Sequence, residues 1–277
     1  MKQKNVQEGR ALGVNAGIAQ AYATKLRVMT RAFIRILMKR LTKLYKEHKN
    51  DISVKPNVAK DSGVGEAIFD FLNKEQYYFS FYFSHSGKSY SEKMLNNVKN
   101  NSLHQFNNSL KSVFKDENNI SSSPIPKGME DTIDKLVETN VALIRSIPNS
   151  CFNKIHQSVM SCLLEGAPVS KLRRDIMEIG RTEERKAELI AMDQTRKAYM
   201  QINIVRMKDA GVEKFKWLHT GGGLSPRVYH RDVLSGKIFE IGKPPIIDPH
   251  TKTTGYPGQL PNCRCVMVPV VELHSEE

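Results

Sequence analysis

Cys263 and Cys265, one residue apart, and the histidines upstream of them, His219, His230 and His250, are the side chains best suited to chemistry. Thiolate and imidazole together suit zinc, and four such ligands make a closed, structural site. Cys263, Cys265 and His230 would supply three ligands, and His219 or His250 the fourth. Paired zinc cysteines are usually spaced by two to four residues, so a one-residue gap chelates less readily. The simplest expectation is therefore two packed thiols in a turn before the last strand, with Arg264 pointing outward. A disulfide between such near neighbours would be strained. A nucleophilic Cys with His230 as base is the enzymatic alternative, but no acid is evident to orient the histidine. No catalytic residue is assigned.

The surrounding text carries weaker signals. Gly221-Gly222-Gly223 offers backbone N–H groups to an anion. It lacks the Gly-Lys-Ser/Thr of a phosphate loop and reads as a turn. Trp217 is expected to anchor a core. His230, between Arg227 and Asp232, is expected to be a hydrogen-bonded structural histidine. Cys151 and Cys162 lie in apolar helical text and read as buried thiols. Four cysteines in 277 residues do not make a disulfide scaffold.

Those residues must be positioned by elements of two kinds. Residues 18–48 predict a long amphipathic helix with Leu26, Met29, Phe33, Leu37, Leu41 and Leu44 on one face. Asp51–Gly65 reads as a hinge. The aromatic run YYFSFYF, within 66–83, predicts core packing, and 90–115 a polar helix. Asp116–Gly128 is the clearest linker. Helices are then predicted over 129–147, ending at Pro148, over 149–164, and from Ser170 to Gly180. A last one starts with Thr182 as N-cap and closes at Gly211. Beyond it, Lys214–Leu218, Lys237–Ile241 and Val266–Val271 predict short strands. The fold class is α+β, a mainly helical body with a small C-terminal β-containing module. In sequence order this gives a basic arm (1–50), a helical region ending in a linker (51–128) and a C-terminal region (129–277). In that last region, helices run to 210 and the β module occupies 211–277.

Charge is concentrated at one end. Residues 1–50 hold twelve Lys/Arg against Glu8 and Glu47, so +10 of the formal net charge of +13 lies there. Arg27, Arg31, Arg35, Lys39 and Lys43 recur every fourth residue, a spacing at which like charges repel by a few tenths of a kcal/mol. An anionic partner would relieve that cost. The regular stripe, without Asn or Gln among its residues, favours sequence-independent phosphate contact. Residues 1–17 read as a flexible lead. They contain no apolar core of a secretory signal, and no apolar run approaches the roughly 18 residues of a membrane helix. The protein is expected to act where it is made or in something assembled there.

The C-terminal text resembles the phage Mu F-like minor head proteins, also called phage head morphogenesis proteins. The resemblance runs through Asp193-Gln194, Trp217, Arg227 and His230, Gly236, Pro257-Gly258 and Cys263-Arg264-Cys265. It covers about eighty residues, with the helices from about 130 onward fitting more weakly. Family members often have an Asp-x-Arg-x-Arg segment running into the histidine. Here Gly223-Leu224-Ser225-Pro226-Arg227 stands in its place, without the acid or the first Arg. That departure weighs against any role resting on a carboxylate there.

The resemblance implies a non-enzymatic minor capsid protein of a tailed phage, acting in head morphogenesis. Its implied partners are the portal, the major capsid or scaffolding protein and genomic double-stranded DNA, with no membrane. Its implied location is the head interior near the portal, after assembly in the host cytoplasm. No cofactor is expected other than a structural zinc. A zinc-stabilised nucleic-acid-binding regulator and a thiol hydrolase or transferase are the alternative classes.

Overall fold

A computed structural model describes residues 5–48, 63–114, 122–221 and 226–273. Four long helices dominate: α1 (Ala16–Glu47), α2 (Gly63–Val113), α3 (Met129–Leu164) and α4 (Val169–Asp209). The strands are β1 (Asn5–Glu8), β2 (Lys214–Leu218), β3 (Ile238–Glu240), β4 (Ile246–Asp248), β5 (Thr253–Thr254) and β6 (Val266–Leu273). A π-helical turn occupies Tyr229–Leu234. The class is α+β, a helical body with a small strand module at its end. No described helix is long and apolar enough to cross a membrane. Most of the hinge and the first part of the linker lie outside the described residues.

The chain divides into two compact units, each assembled from distant segments. The first comprises Met1–Gln20, Glu92–Val137 and Met192–Glu277; the second comprises Ala21–Ser91 and Glu138–Ala191.

The second unit is helical. Leu26, Met29, Phe33, Leu37 and Leu41 of α1 are buried as the helical period predicts, while Leu44 is only half-buried. The Phe33 ring packs against Phe79, Phe83 and Phe152 at centroid distances of 4.6, 5.5 and 5.6 Å. The aromatic run is thus only partly core. Phe79 and Phe83 point inward, but Tyr77, Tyr78, Phe81 and Tyr82 are exposed, because one helix cannot turn every side of a seven-residue run inward.

Three predicted breaks are absent. Residues 66–83 and 90–115 are not separate, since α2 runs unbroken from Gly63, taking in the end of the predicted hinge. Gly87 lies within α2 because the Ile144 side chain of α3 comes so close that a Cβ there would sit 3.0 Å from it. Pro148 sits inside α3. Its ring leaves a carbonyl of the preceding turn unserved. That carbonyl is Ile144's; its neighbours take side-chain donors, Leu143 from the Ser146 hydroxyl at 2.6 Å and Ser146 from Lys186 Nζ at 3.0 Å. Gly180 does not end a helix either. It admits Ile34, whose Cγ2 would lie 2.8 Å from an added Cβ. Thr182 is therefore no N-cap; its hydroxyl bonds back to the Glu178 carbonyl at 3.2 Å within α4.

The first unit holds the strands. The four-stranded antiparallel sheet has the order β1-β6-β2-β3, with Trp217 opposite Met267 and Phe215 opposite Pro269. The N-terminal segment is not a simple flexible lead. Residues 5–8 pair with the far end of the chain, Val6 opposite Glu272, and Leu12 bridges Met267. Polar alternation over so few residues gives little strand signal, and the partner lies about 260 residues away. Helix α4 closes as predicted. Gly211 takes φ +70°, and the Val212 N–H reaches the Met207 carbonyl at 2.8 Å, the left-handed cap glycine permits.

Arg206 organises the helical part of this unit. Fully buried, it donates from Nε to Ser102 Oγ at 3.1 Å, from Nη1 to the Ser123 carbonyl at 2.9 Å and from Nη2 to the Lys99 carbonyl at 3.1 Å. It thereby fixes α4, α2 and the segment leading into α3 to one another.

Candidate metal centre

Three segments of the first unit deliver side chains to one point. Strand β2 alternates, burying Phe215 and Trp217, and His219 follows just past its end. The π-helical turn buries His230 and Leu234, and the Ser235 N–H closes it on the His230 carbonyl at 3.1 Å. The wide turn pushes one side chain inward while Arg231 and Asp232 pair with each other outside, at 2.6 Å. Asn262 takes φ +59° just before Cys263, turning the chain toward β6. From there a two-residue step puts both thiols on one side, buried, with Arg264 exposed on the other.

The resulting distances are short. His230 Nδ1 lies 3.5 Å from Cys263 Sγ and 3.7 Å from Cys265 Sγ. His219 Nδ1 lies 3.4 Å from Cys265 Sγ. The ligand atoms of His230, Cys263 and Cys265 all fall within 4.8 Å of one another. On its other side, His230 Nε2 is 2.8 Å from the Ile247 carbonyl, an oxygen that can only accept. Nε2 therefore carries the proton, and in the neutral ring Nδ1 turns a lone pair toward the thiols. The predicted partnership of His230 with Asp232 is replaced by this carbonyl and the two sulfurs. Asp232 is taken up by Arg231, and Arg227 Nη2 donates to the Pro261 carbonyl at 3.0 Å.

The electrostatics favour negative charge on sulfur. The hydrogen bond with Cys265 holds the Cys263 thiol down, to about 4, against the opposing effect of burial, and His230 adds to that lowering. The same bond and burial push Cys265 up. For His230, burial opposes the imidazolium, yet the bonds to Cys263 and the Ile247 carbonyl raise it on balance. Cys151 and Cys162 behave oppositely. Both are fully buried in α3, and burial pushes both thiols up, as suits small inert hydrophobes.

The other motif residues are structural around this point. Trp217 is fully buried and meets the His230 ring edge-on at 5.0 Å. Gly236 (φ +83°) and Gly258 (φ +86°) take left-handed turns that a side chain would strain, and the Gly236 N–H donates to the Trp217 carbonyl at 2.8 Å. Asp193 pairs with Lys197 at 2.7 Å, and Gln194 is buried beside it. His250 is exposed, its backbone N–H bonded to Asp248 Oδ1, and it is not part of the cluster. Gly222–Ser225, including most of the glycine nest and the lost acidic position, lie outside the described residues.

Residues 153–268 match the family described as Phage Mu protein F like protein. This region is Mu F-like. It begins within α3 and ends in β6, so it contains the whole His–Cys cluster and the turns that build it. A Haemophilus influenzae (strain ATCC 51907 / DSM 11121 / KW20 / Rd) protein described only as uncharacterized is 30% identical over 147 residues, 53% of this chain and 31% of its own length. The chain thus spans about a third of that relative. No solved structure matches it.

The basic stripe sits in the second unit and is partly neutralised there. Arg31 makes a fork with Glu184, with Nη2 at 2.7 Å from Oε2, and Arg27 reaches Glu188 at 3.5 Å. Lys43 lies 3.8 Å from Glu47. Arg35 and Lys39 are exposed with no ion-pair partner among the described residues. Sequence reasoning missed Arg206 and Glu183, the two buried charged residues of α4. In the sequence Glu183 reads as a first-turn acid after Thr182, and Arg206 as an ordinary polar position on an amphipathic helix.

Proposed function

We propose that this protein is a minor component of a tailed-phage head. It acts in head morphogenesis at the portal or inner capsid and touches packaged DNA without sequence preference. The Mu F-like match over residues 153–268 carries this reading. Two surface features support it. The first is an exposed aromatic face on α2: Tyr77, Tyr78, Phe81 and Tyr82 are 80%, 55%, 68% and 41% exposed. Aromatic side chains are enriched where protein partners dock, and four on one face of a helix exceed the scattered apolar exposure of an ordinary surface.

The second is the stripe on α1. Packed duplex presents one phosphate charge per about 1.7 Å of its axis, so even a short row of cations gains from release of counterions. The pairs of Arg27 and Arg31 with glutamates lie at the surface, where water and salt screen them, so a phosphate can replace them. Arg35, Lys39 and Lys43 would act first.

Two experiments test the reading. Mass spectrometry of purified procapsids and mature particles, set against portal copy number, should find the protein at a few copies per head. Its absence from both removes the assignment. Double-stranded DNA binding should weaken with salt at a log–log slope between about −2.7 and −4.5, for three to five phosphate contacts. Replacing Arg27, Arg31, Arg35, Lys39 and Lys43 with Gln should flatten that slope, and an unchanged slope excludes the stripe as the DNA contact.

A further inference from the structure

We propose that His219, His230, Cys263 and Cys265 form a closed, structural zinc site that locks the C-terminal sheet module. This goes beyond the role in the phage head and does not depend on it.

Geometry carries the proposal. With zinc–sulfur near 2.3 Å and zinc–nitrogen near 2.05 Å, a tetrahedral ion holds sulfur and nitrogen about 3.6 Å apart. The three sulfur–nitrogen separations here are 3.5, 3.7 and 3.4 Å. Three edges of the tetrahedron are therefore already at length, and they come from three segments, the end of β2, the π-helical turn and the approach to β6. All four residues line one cavity of about 40 Å³. Roughly 10–15 Å³ is enough for one water-sized occupant, so the cavity has room for an ion; His219, outside the trio whose ligand atoms all fall within 4.8 Å of one another, turns in from its contact with Cys265 to complete the tetrahedron.

The surroundings match what a zinc site needs beyond its ligands. The His230 Nε2–H is held by the Ile247 carbonyl, which fixes the ring and the tautomer that offers Nδ1 to a metal. The Trp217 Nε1–H beside this cluster is buried with no hydrogen-bond partner. A divalent cation displaces the thiol protons and accepts both sulfurs as thiolates.

The competing chemistries fit less well. A nucleophile needs access, whereas Cys263 and Cys265 are only 4% and 5% exposed. A general base needs an orienting acid, and His230 has a neutral carbonyl instead. Two thiolates with two imidazoles, and no position left for substrate, describe a structural centre. The one-residue spacing is accommodated because the step places both sulfurs on the same side.

The test uses the full chain, expressed in zinc-supplemented medium and purified without chelator. Elemental analysis should give one zinc per chain and no comparable iron or copper. Cobalt exchanged into the unaltered protein should show the thiolate charge-transfer band and the intense visible bands of tetrahedral coordination. Trp217 is the sole tryptophan of the chain and touches His230, so cobalt should also quench its emission. Cys265→Ser and His219→Ala should each lose the metal, while His250→Ala keeps it. Zinc near zero, with both thiols titrating freely in the folded protein, overturns the proposal. So does octahedral cobalt without a thiolate band. Retention of tetrahedral cobalt in His219→Ala overturns the four-ligand assignment.

Discussion

Replacing Arg206 with methionine should destabilise the first unit by about 3–4 kcal/mol, although the new side chain is apolar, of similar length and enters a buried site. The guanidinium serves three groups at 3.1 Å or less: Ser102 Oγ and the carbonyls of Ser123 and Lys99. Methionine removes a charged donor from all three, at about 1.5–3 kcal/mol per bond, and leaves the Ser123 carbonyl, outside any helix, without it. Against that stands the gain from no longer burying a cation, which amounts to several kcal/mol. Burial already holds the Arg206 guanidinium below its ordinary value, with Asp209 opposing, so this offset is real. The carbonyls decide the sign, because they belong to backbone that cannot turn to solvent without moving α2 or the segment before α3. At about 2–4 °C per kcal/mol, the midpoint of thermal unfolding should fall by about 6–16 °C. Arg206→Lys keeps the charge but loses the fork and should fall between wild type and Arg206→Met. Urea titration gives the magnitude. Amide exchange gives the location, since the N–H groups around Lys127 and Met129 should lose protection first. If Arg206→Met is within about 1 kcal/mol of wild type and these amides are unchanged, the guanidinium is not what holds the segment, and the reasoning fails.

Three further outcomes follow from the packing. Gly180→Ala should destabilise by about 1–2 kcal/mol despite better helix propensity, because a Cβ there meets Ile34 Cγ2 at 2.8 Å. The double variant with Ile34→Ala should show a favourable coupling energy in urea titration, and simple additivity would refute the contact. Glu183→Gln should cost about 1–2 kcal/mol by the same assay, since Glu183 Oε1 accepts from Ser150 Oγ and Lys154 Nζ at 2.7 Å each. Lys154 is 43% exposed and can turn to water, so a loss above about 4 kcal/mol would mean the buried carboxylate does more than anchor these two. Tyr77→Ser with Phe81→Ser should leave stability within about 0.5 kcal/mol and reduce incorporation into heads; unchanged incorporation would free that face of a docking role.

Much of the fold was legible because helices announce themselves by period. The apolar face of α1, the cap at Gly211 and strands β2 and β6 all follow from local text. The failures share one cause. Gly180 and Pro148 are strong local breakers, and the stops there, like the gap between 83 and 90 that holds Gly87, were inferred from the chain alone. Ile34 crosses at Gly180 and Ile144 at Gly87, so there glycine is demanded by a neighbouring helix and not by a turn. At Pro148, side-chain donors serve carbonyls of the flanking turn. Strand β1 escaped for a related reason, since four residues carry no period and its partner is the other end of the chain.

The candidate site was legible in composition and not in geometry. Cys-x-Cys spacing argues against zinc when the pair is pictured on a turn, because one intervening residue is too few for a relaxed chelate. In the fold the pair does not close a loop by itself. It approaches β6 with both sulfurs on one side, and the chelate we propose would be completed across 33 residues to His230 and 46 to His219. The closures that matter are therefore those fixed by the sheet, where β2 pairs with β6, and by the π-helical turn that swings His230 inward. A spacing rule for a self-contained knuckle does not apply to ligands already aligned by strand pairing. That is why His219, one of two equal candidates for the fourth ligand in the sequence, becomes the natural one: it leaves β2 directly beside the point where β6 begins. His250 lies beyond β4, exposed, and has no such constraint holding it near the sulfurs.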